Sequence, residues 1–114
     1  MTEKRITDSE SLSKVSYVSI GQKVLQAEAQ AITAIAKDLG RNFHDAVGCI
    51  LECKGRLVVI GVGKSGHIGR KISATLASTG TPSFFVHAGE ASHGDVGMIV
   101  EQDIVLALSN SGET

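Results

Sequence analysis

The sequence predicts an α/β fold: a parallel sheet layered with helices and preceded by two further helices. Three observations point there. Short continuous apolar runs, Leu57-Val58-Val59-Ile60 and Ile104-Val105-Leu106-Ala107-Leu108, suit strands buried on both faces. Stretches of helical period lie before and between such runs. Glycine, with 13 residues, gathers at the joints. A chain of 114 residues holds one domain at most.

The elements follow in order. Met1–Ser16 reads as a mobile polar lead. From Ile20 to Leu39, Val24, Leu25, Ile32, Ile35 and Leu39 recur at helical spacing among alanines, and Gly40 reads as the stop. A second helix fits Phe43–Lys54, with Phe43, Val47, Ile50 and Leu51 on one face. Asn42 is its expected cap and Gly55 its expected end. The period then changes. Leu57–Ile60 is the first strand, and Gly61–Gly66 is a glycine-rich turn. A helix runs on to about Ser78 with Ile68, Ile72 and Leu76 on its apolar side. Gly80-Thr81-Pro82 breaks it. Ser83–Val86 is the second strand, Gly89–Met98 a loop or short helix, and Asp103–Leu108 the third strand, again buried in type. Strands alternating with helices imply parallel pairing through crossovers.

Composition excludes several classes. Eleven Lys and Arg stand against 12 Asp and Glu, a net charge of −1, so no basic excess recommends a nucleic-acid partner. At 42% hydrophobic and 20% charged residues the chain is globular in type. No apolar run approaches the roughly 18 residues of a membrane span, and residues 1–17 show no signal-peptide pattern. Two cysteines, Cys49 and Cys53, make a disulfide framework improbable. Two buried thiols in a reducing, cytoplasmic setting are the plain reading, and a metal or redox role the alternative.

Two loops carry candidate chemistry. Gly61-Val62-Gly63-Lys64-Ser65-Gly66 joins a strand to a helix. A helix N-terminus exposes unpaired N–H groups that favour an anion, and glycines let the anion approach. Gly63, Ser65 and the cation Lys64 are therefore candidate ligand contacts. The string also fits the dinucleotide fingerprint, but the acid that would hold a ribose is missing after Phe85-Val86-His87. A nucleotide P-loop fails too, because Val58 stands where a glycine is required. A smaller phosphate or polyol remains, beside the alternative of an ordinary turn without ligand.

The second loop, Ser109-Asn110-Ser111-Gly112-Glu113-Thr114, also follows a strand. Ligands of open α/β sheets lie outside the carboxyl ends of strands. Hydroxyls of Ser109, Ser111 and Thr114 suit a phosphate that carries no base. The alternative is a plain helix cap with Ser111 at the N-cap. Between the loops, His87, Glu90, His93 and Asp95 cluster in nine residues. They read as a sugar-facing acid–base group, as solvated polar residues, or more weakly as a metal site.

The strings Gly63-Lys64-Ser65-Gly66-His67-Ile68-Gly69-Arg70-Lys71 and Ser78-Thr79-Gly80-Thr81-Pro82-Ser83-Phe84-Phe85, with the later Ser109-Asn110-Ser111-Gly112-Glu113, resemble the sugar isomerase (SIS) domain. More narrowly they resemble the D-arabinose 5-phosphate isomerases of Kdo, lipopolysaccharide and capsule synthesis. The resemblance runs from about Gly21 to Thr114 and is dense from Lys54. It implies a five-stranded parallel sheet, often in a tetramer, that interconverts arabinose 5-phosphate and ribulose 5-phosphate. It assigns Ser109, Ser111 and Thr114 to the phosphate, and Lys64 and His93 to the sugar. The family continues with two more strands, further acidic and histidine residues, and usually a pair of cystathionine-β-synthase domains. The expectation is thus a lead at 1–17 and the N-terminal part of an SIS domain at 18–114, truncated after the third strand and inactive alone.

Aldose–ketose isomerisation moves a proton between C1 and C2 through an enediol. His93 titrates in a suitable range, and Lys64 supplies charge near the enediolate oxygen. The base itself is not identified. No metal or organic cofactor is demanded. A second function, a non-catalytic sugar-phosphate sensor, would be favoured by a DNA-binding helix, and the first 55 residues show no basic recognition face.

Overall fold

The computed structural model describes residues 15–91 and 94–113 and divides into two compact units, one ending at Asn42 and one starting at Phe43. The first holds helix α1, Tyr17–Asp38. It starts three residues earlier than its apolar period predicts, because Ser16 caps it: the Ser19 N–H donates to Ser16 Oγ at 3.1 Å. It ends when Leu39 turns to extended backbone (φ −64°, ψ 120°), one residue before the expected glycine stop. None of its residues is buried.

Helix α2 spans Arg41–Glu52. Asn42 therefore lies inside the first turn and is not the cap. Gly55 does not end the helix; it is needed for a close approach. A Cβ there would stand 2.5 Å from the Gln102 carbonyl oxygen and 2.6 Å from Asp103 Oδ1. Both cysteines depart from the expected burial: Cys49 is exposed and Cys53 half-buried. Cys53 sits just past the helix end, and its thiol donates to the Gln102 carbonyl at 3.4 Å.

The sheet has three strands, β1 (Leu57–Gly61), β2 (Ser83–His87) and β3 (Ile104–Ala107), in the order β2-β1-β3. Both pairings are parallel. The register sets Gly61 opposite His87 and Ile60 opposite Ala107. The Leu108 N–H carries the ladder one step further, to the Ile60 carbonyl at 2.8 Å. Leu57, Val58 and Val59 of the central strand and Val86 of β2 form the buried apolar core. The third strand is not buried as its composition predicts. It is an edge among the described residues, with Val105 46% exposed.

Helix α3, Gly63–Ser78, joins β1 to β2 and lies on both. Of the aliphatic side predicted, Ile72 and Leu76 are half-buried, but small residues take the buried positions. Gly66, Gly69 and Ser73 are the buried positions, and Ile68 is 59% exposed. The reason is distance. A Cβ at Gly69 would meet Phe85 Cε1 at 2.9 Å and Val59 Cγ1 at 3.1 Å, and one at Gly61 would meet the Gly66 nitrogen at 3.1 Å. Small residues let the helix backbone approach the sheet where Phe85 fills the interface. The helix ends in a Schellman arrangement: the Thr81 N–H reaches the Leu76 carbonyl at 2.9 Å and Gly80 takes φ +102°. The break expected at Gly80 is therefore present.

After β2 come a short helix α4, Ala88–Ala91, and a 3-10 turn, Asp95–Met98. The path from that turn into β3 is fixed by Asp103, whose side chain has no solvent-accessible surface. Its carboxylate accepts from the Arg56 N–H at 2.8 Å and the Val100 N–H at 2.9 Å. The Arg56 guanidinium stands 3.4 Å from Asp103 Oδ2, donates to the Met98 carbonyl at 2.8 Å and lies 4.5 Å over the Phe84 ring. The Val100 N–H foremost, and then the Arg56 N–H, hold the Asp103 carboxyl below its ordinary value of 3.8 against an opposing desolvation. A lowered folded value means that the carboxylate stabilises the fold above that ordinary value. The contribution fades as pH falls through the lowered value.

This packing sets the sign of three substitutions. Gly69→Ala is expected to cost about 1–3 kcal/mol, since both neighbours of the new methyl are packed side chains. Gly48→Ala, at a helical position with open space around it, is expected to stabilise by about 0.4–1 kcal/mol. Denaturant unfolding of the two variants checks the opposite signs. Asp103→Asn is expected to lower the melting temperature near neutral pH. Its gap to wild type is expected to close as the solution is acidified through the lowered carboxyl value, which a series of melts against pH would show.

Candidate functional site

The strand order places both candidate loops at one point. From β1 the chain crosses to β2 on one side, while β3 lies on the other side of β1. The carboxyl ends of β1 and β3 therefore flank a topological switch point, where open α/β sheets take their ligands. The register matters equally. Ile60 pairs with Ala107, so Val62 and Ser109 leave the sheet at the same level.

A cleft of about 310 Å³ opens there, lined by Val62, Lys64, Ser65, Leu108, Ser109, Asn110 and Ser111. Two segments distant in the chain thus meet at one site. Helix α3 begins inside the glycine turn, at Gly63, rather than after it. Gly63 sits at φ +57°, a conformation that a side chain would strain. The Gly66 N–H makes the first helical bond, to the Val62 carbonyl at 3.0 Å. The N–H groups of Gly63, Lys64 and Ser65 lie ahead of that ladder, and Val62 offers no side-chain cap. Lys64 is exposed at the cleft and Ser65 half-buried.

The hydroxyl loop is wound on itself. Ser109 Oγ accepts from the Gly112 N–H at 2.8 Å, and Ser111 Oγ accepts from the Glu113 N–H at 3.2 Å. The N-cap pattern of a hydroxyl bonded three residues on therefore belongs to Ser109, not to Ser111 as the sequence suggests. Gly112, at φ +78°, permits the turn. A serine that accepts a backbone N–H still has its own proton to donate. Both hydroxyls, the open N–H groups and the Lys64 ammonium are donors, and a phosphate group presents only acceptors to them.

The other sequence candidates fall elsewhere. His93 and Thr114 lie outside the described residues. His87 ends β2, half-buried, with its Nδ1 accepting from the Gly89 N–H at 3.1 Å. Glu90 is exposed and Asp95 half-buried in the 3-10 turn. No group of three or more metal-ligating side chains gathers among the described residues. No carboxylate stands at the end of β2, where a dinucleotide's ribose would be held. Sequence reasoning missed Asn110 as a lining residue; its place between two hydroxyl residues was the available signal.

Comparison with known proteins places the fold in a family. The SIS domain family model matches residues 50–114. An arabinose 5-phosphate isomerase, KdsD, of Yersinia pestis is 56% identical over 100 residues, covering 88% of this chain and 30% of its own. The KdsD enzyme of Escherichia coli K12 is 55% identical over 98 residues, with 86% and 30% covered. The chain thus spans about 30% of the length of these relatives. A solved structure of an Escherichia coli CFT073 protein in complex with arabinose 5-phosphate superposes with a TM-score of 0.71 at 42% identity, covering 88% of this chain and 55% of that one. A Bacteroides fragilis protein assigned as a phosphosugar isomerase involved in capsule formation gives 0.78 at 41% identity, with 87% and 53% covered. With more than half of its residues matched by the family model and its fold shared with these structures, the chain belongs to the SIS domain family.

Proposed function

We propose that the cleft between β1 and β3 binds a sugar phosphate, arabinose 5-phosphate, for its interconversion with ribulose 5-phosphate. The observation that carries this reading is the meeting of Lys64 and Ser65 with Ser109 and Ser111 around one cleft. The similarity to KdsD enzymes and to the structure that holds arabinose 5-phosphate supports the choice of sugar. In this reading the phosphate lies on the Ser109 and Ser111 hydroxyls, and the Thr114 hydroxyl is a further candidate donor to it. The N–H groups of Gly63 to Ser65 add donors, at the end of a helix whose dipole favours an anion.

The chemistry follows from the donors. A base removes the proton from C2 of the aldose, the oxygen at C1 gains negative charge, and reprotonation at C1 gives the ketose. The Lys64 ammonium stabilises that enediolate oxygen. His93 carries the proton between the two oxygens in this scheme. The cleft lining holds no carboxylate or imidazole to act as that base, so the lining residues bind the sugar phosphate and do not by themselves turn it over. In the pathway sense, this equilibrium supplies arabinose 5-phosphate for the synthesis of Kdo, for lipopolysaccharide or capsule.

Calorimetric titration tests the binding claim. Arabinose 5-phosphate is expected to bind and NADH is not. Lys64→Ala is expected to weaken the sugar phosphate by at least about tenfold, the loss of one charge-assisted hydrogen bond. NADH binding without sugar-phosphate binding would reverse the assignment. A turnover assay on the 114-residue chain is expected to show no ribulose 5-phosphate. Measurable isomerisation would place the base within these residues.

A further inference from the structure

Helix α3 carries Lys64, Arg70 and Lys71 within eight residues, with His67 among them, and no Asp or Glu anywhere along Gly63–Ser78. The chain as a whole has slightly more acids than bases, so this is a local concentration. The strands on which α3 packs, β1 and β2, carry no carboxylate either. Among the described residues none of these three cations is ion-paired. Arg70 is instead held 4.5 Å over the Phe85 ring, which keeps its charge beside the sheet. Lys71 is exposed.

Spacing connects this charge to the cleft. Lys64 lines the cleft. Lys71 is seven residues on, two turns along the same face and roughly 10 Å down the axis. That distance is too long for contact with a ligand held at Lys64. It is short against the screening length of about 30 Å at 0.01 M salt, and slightly longer than the length of about 8 Å at physiological strength. Lys64, in the first turn, opposes the helix dipole, whereas Lys71, at mid-helix, lies beyond its range.

We propose that the Lys71 face of α3, backed by Arg70, is an electrostatic approach surface that draws a dianionic ligand to the Lys64 cleft without touching it. This rests on the reading of the cleft as a sugar-phosphate site. Lys71 acts through the field alone, so its effect must depend on ionic strength and on ligand charge, whereas a contact residue's effect persists in salt.

The test is titration of the chain with arabinose 5-phosphate at several salt concentrations. Lys71→Glu is compared with Lys54→Glu, the same charge change placed before the amino end of β1 and so at the far edge of the sheet. Coulomb's law in water with screening predicts that Lys71→Glu weakens binding by about sevenfold at ~0.01 M salt and by only about twofold at ~0.15 M. The Lys54→Glu effect is expected to be under half of that at low salt. Lys71→Gln should give an intermediate loss, and circular dichroism melts identify any variant that fails to fold. Equal affinities of Lys71→Glu and wild type at low salt, or a loss undiminished at high salt, would overturn the proposal. No binding by wild type would instead overturn the sugar-phosphate reading beneath it.

Discussion

The close seating of α3 on the centre of the sheet is the constraint on which the rest of the structure depends. The contact is made by absent side chains. Gly61 and Gly66 face each other closely enough that a Cβ at either would press on the other's backbone, and a Cβ at Gly69 would run into Phe85. A large side chain there would push the amino end of the helix off the sheet. Lys64 and Ser65 would move with it, away from Ser109 and Ser111, and the cleft would lose one wall. Gly63, at φ +57°, makes the turn from strand to helix, a conformation that a side chain would strain. Packing and binding are therefore one requirement at this turn.

The opposite end of the sheet is secured differently. There Asp103 binds the backbones of Arg56 and Val100, and Arg56 reaches Met98 and the Phe84 ring. These contacts set where β3 starts relative to β1. Because the ladder is parallel and in register, a start fixed at Arg56 and Ile104 fixes the exits at Val62 and Ser109. A polar cluster at the amino end of the strands thus sets the level of the candidate loops at the carboxyl end. Outside this frame the apolar surface is large for the described unit: Val105 on the edge strand and Ile68 on α3 are both well exposed. An edge strand of that kind is a pairing surface.

Much of this is legible in the sequence, and the failures have physical causes. The strands are readable because a strand in a parallel sheet is apolar on consecutive residues, and Leu57–Ile60 has no competing helical period. The two candidate loops are readable because glycine, hydroxyl and lysine residues follow strand ends. The face of α3 escapes periodicity, which weighs Ile68, Ile72 and Leu76, while the actual contact uses Gly66, Gly69 and Ser73. Hydrophobic patterns do not register a helix that packs through its smallest residues. Gly55 resembles a helix end for a similar reason. Its role depends on Gln102 and Asp103, far along the chain, and no local pattern reports such a contact. In the hydroxyl loop the residue types are right, but the capping bond falls to Ser109, since Ser109 and Ser111 are equally suited by type and only the loop's path decides.

The central claim is that two distant loops form one anion-binding site at the β1–β3 switch point. Backbone amide chemical shifts during a titration with arabinose 5-phosphate measure it most directly. The account predicts that the amides of Gly63, Lys64 and Ser65 shift together with those of Ser109 to Gly112, along one binding curve, while the amides around Arg56 and Phe84 stay in place. Shifts confined to one loop, separate curves for the two, or changes centred on Arg56 and Phe84 would contradict it.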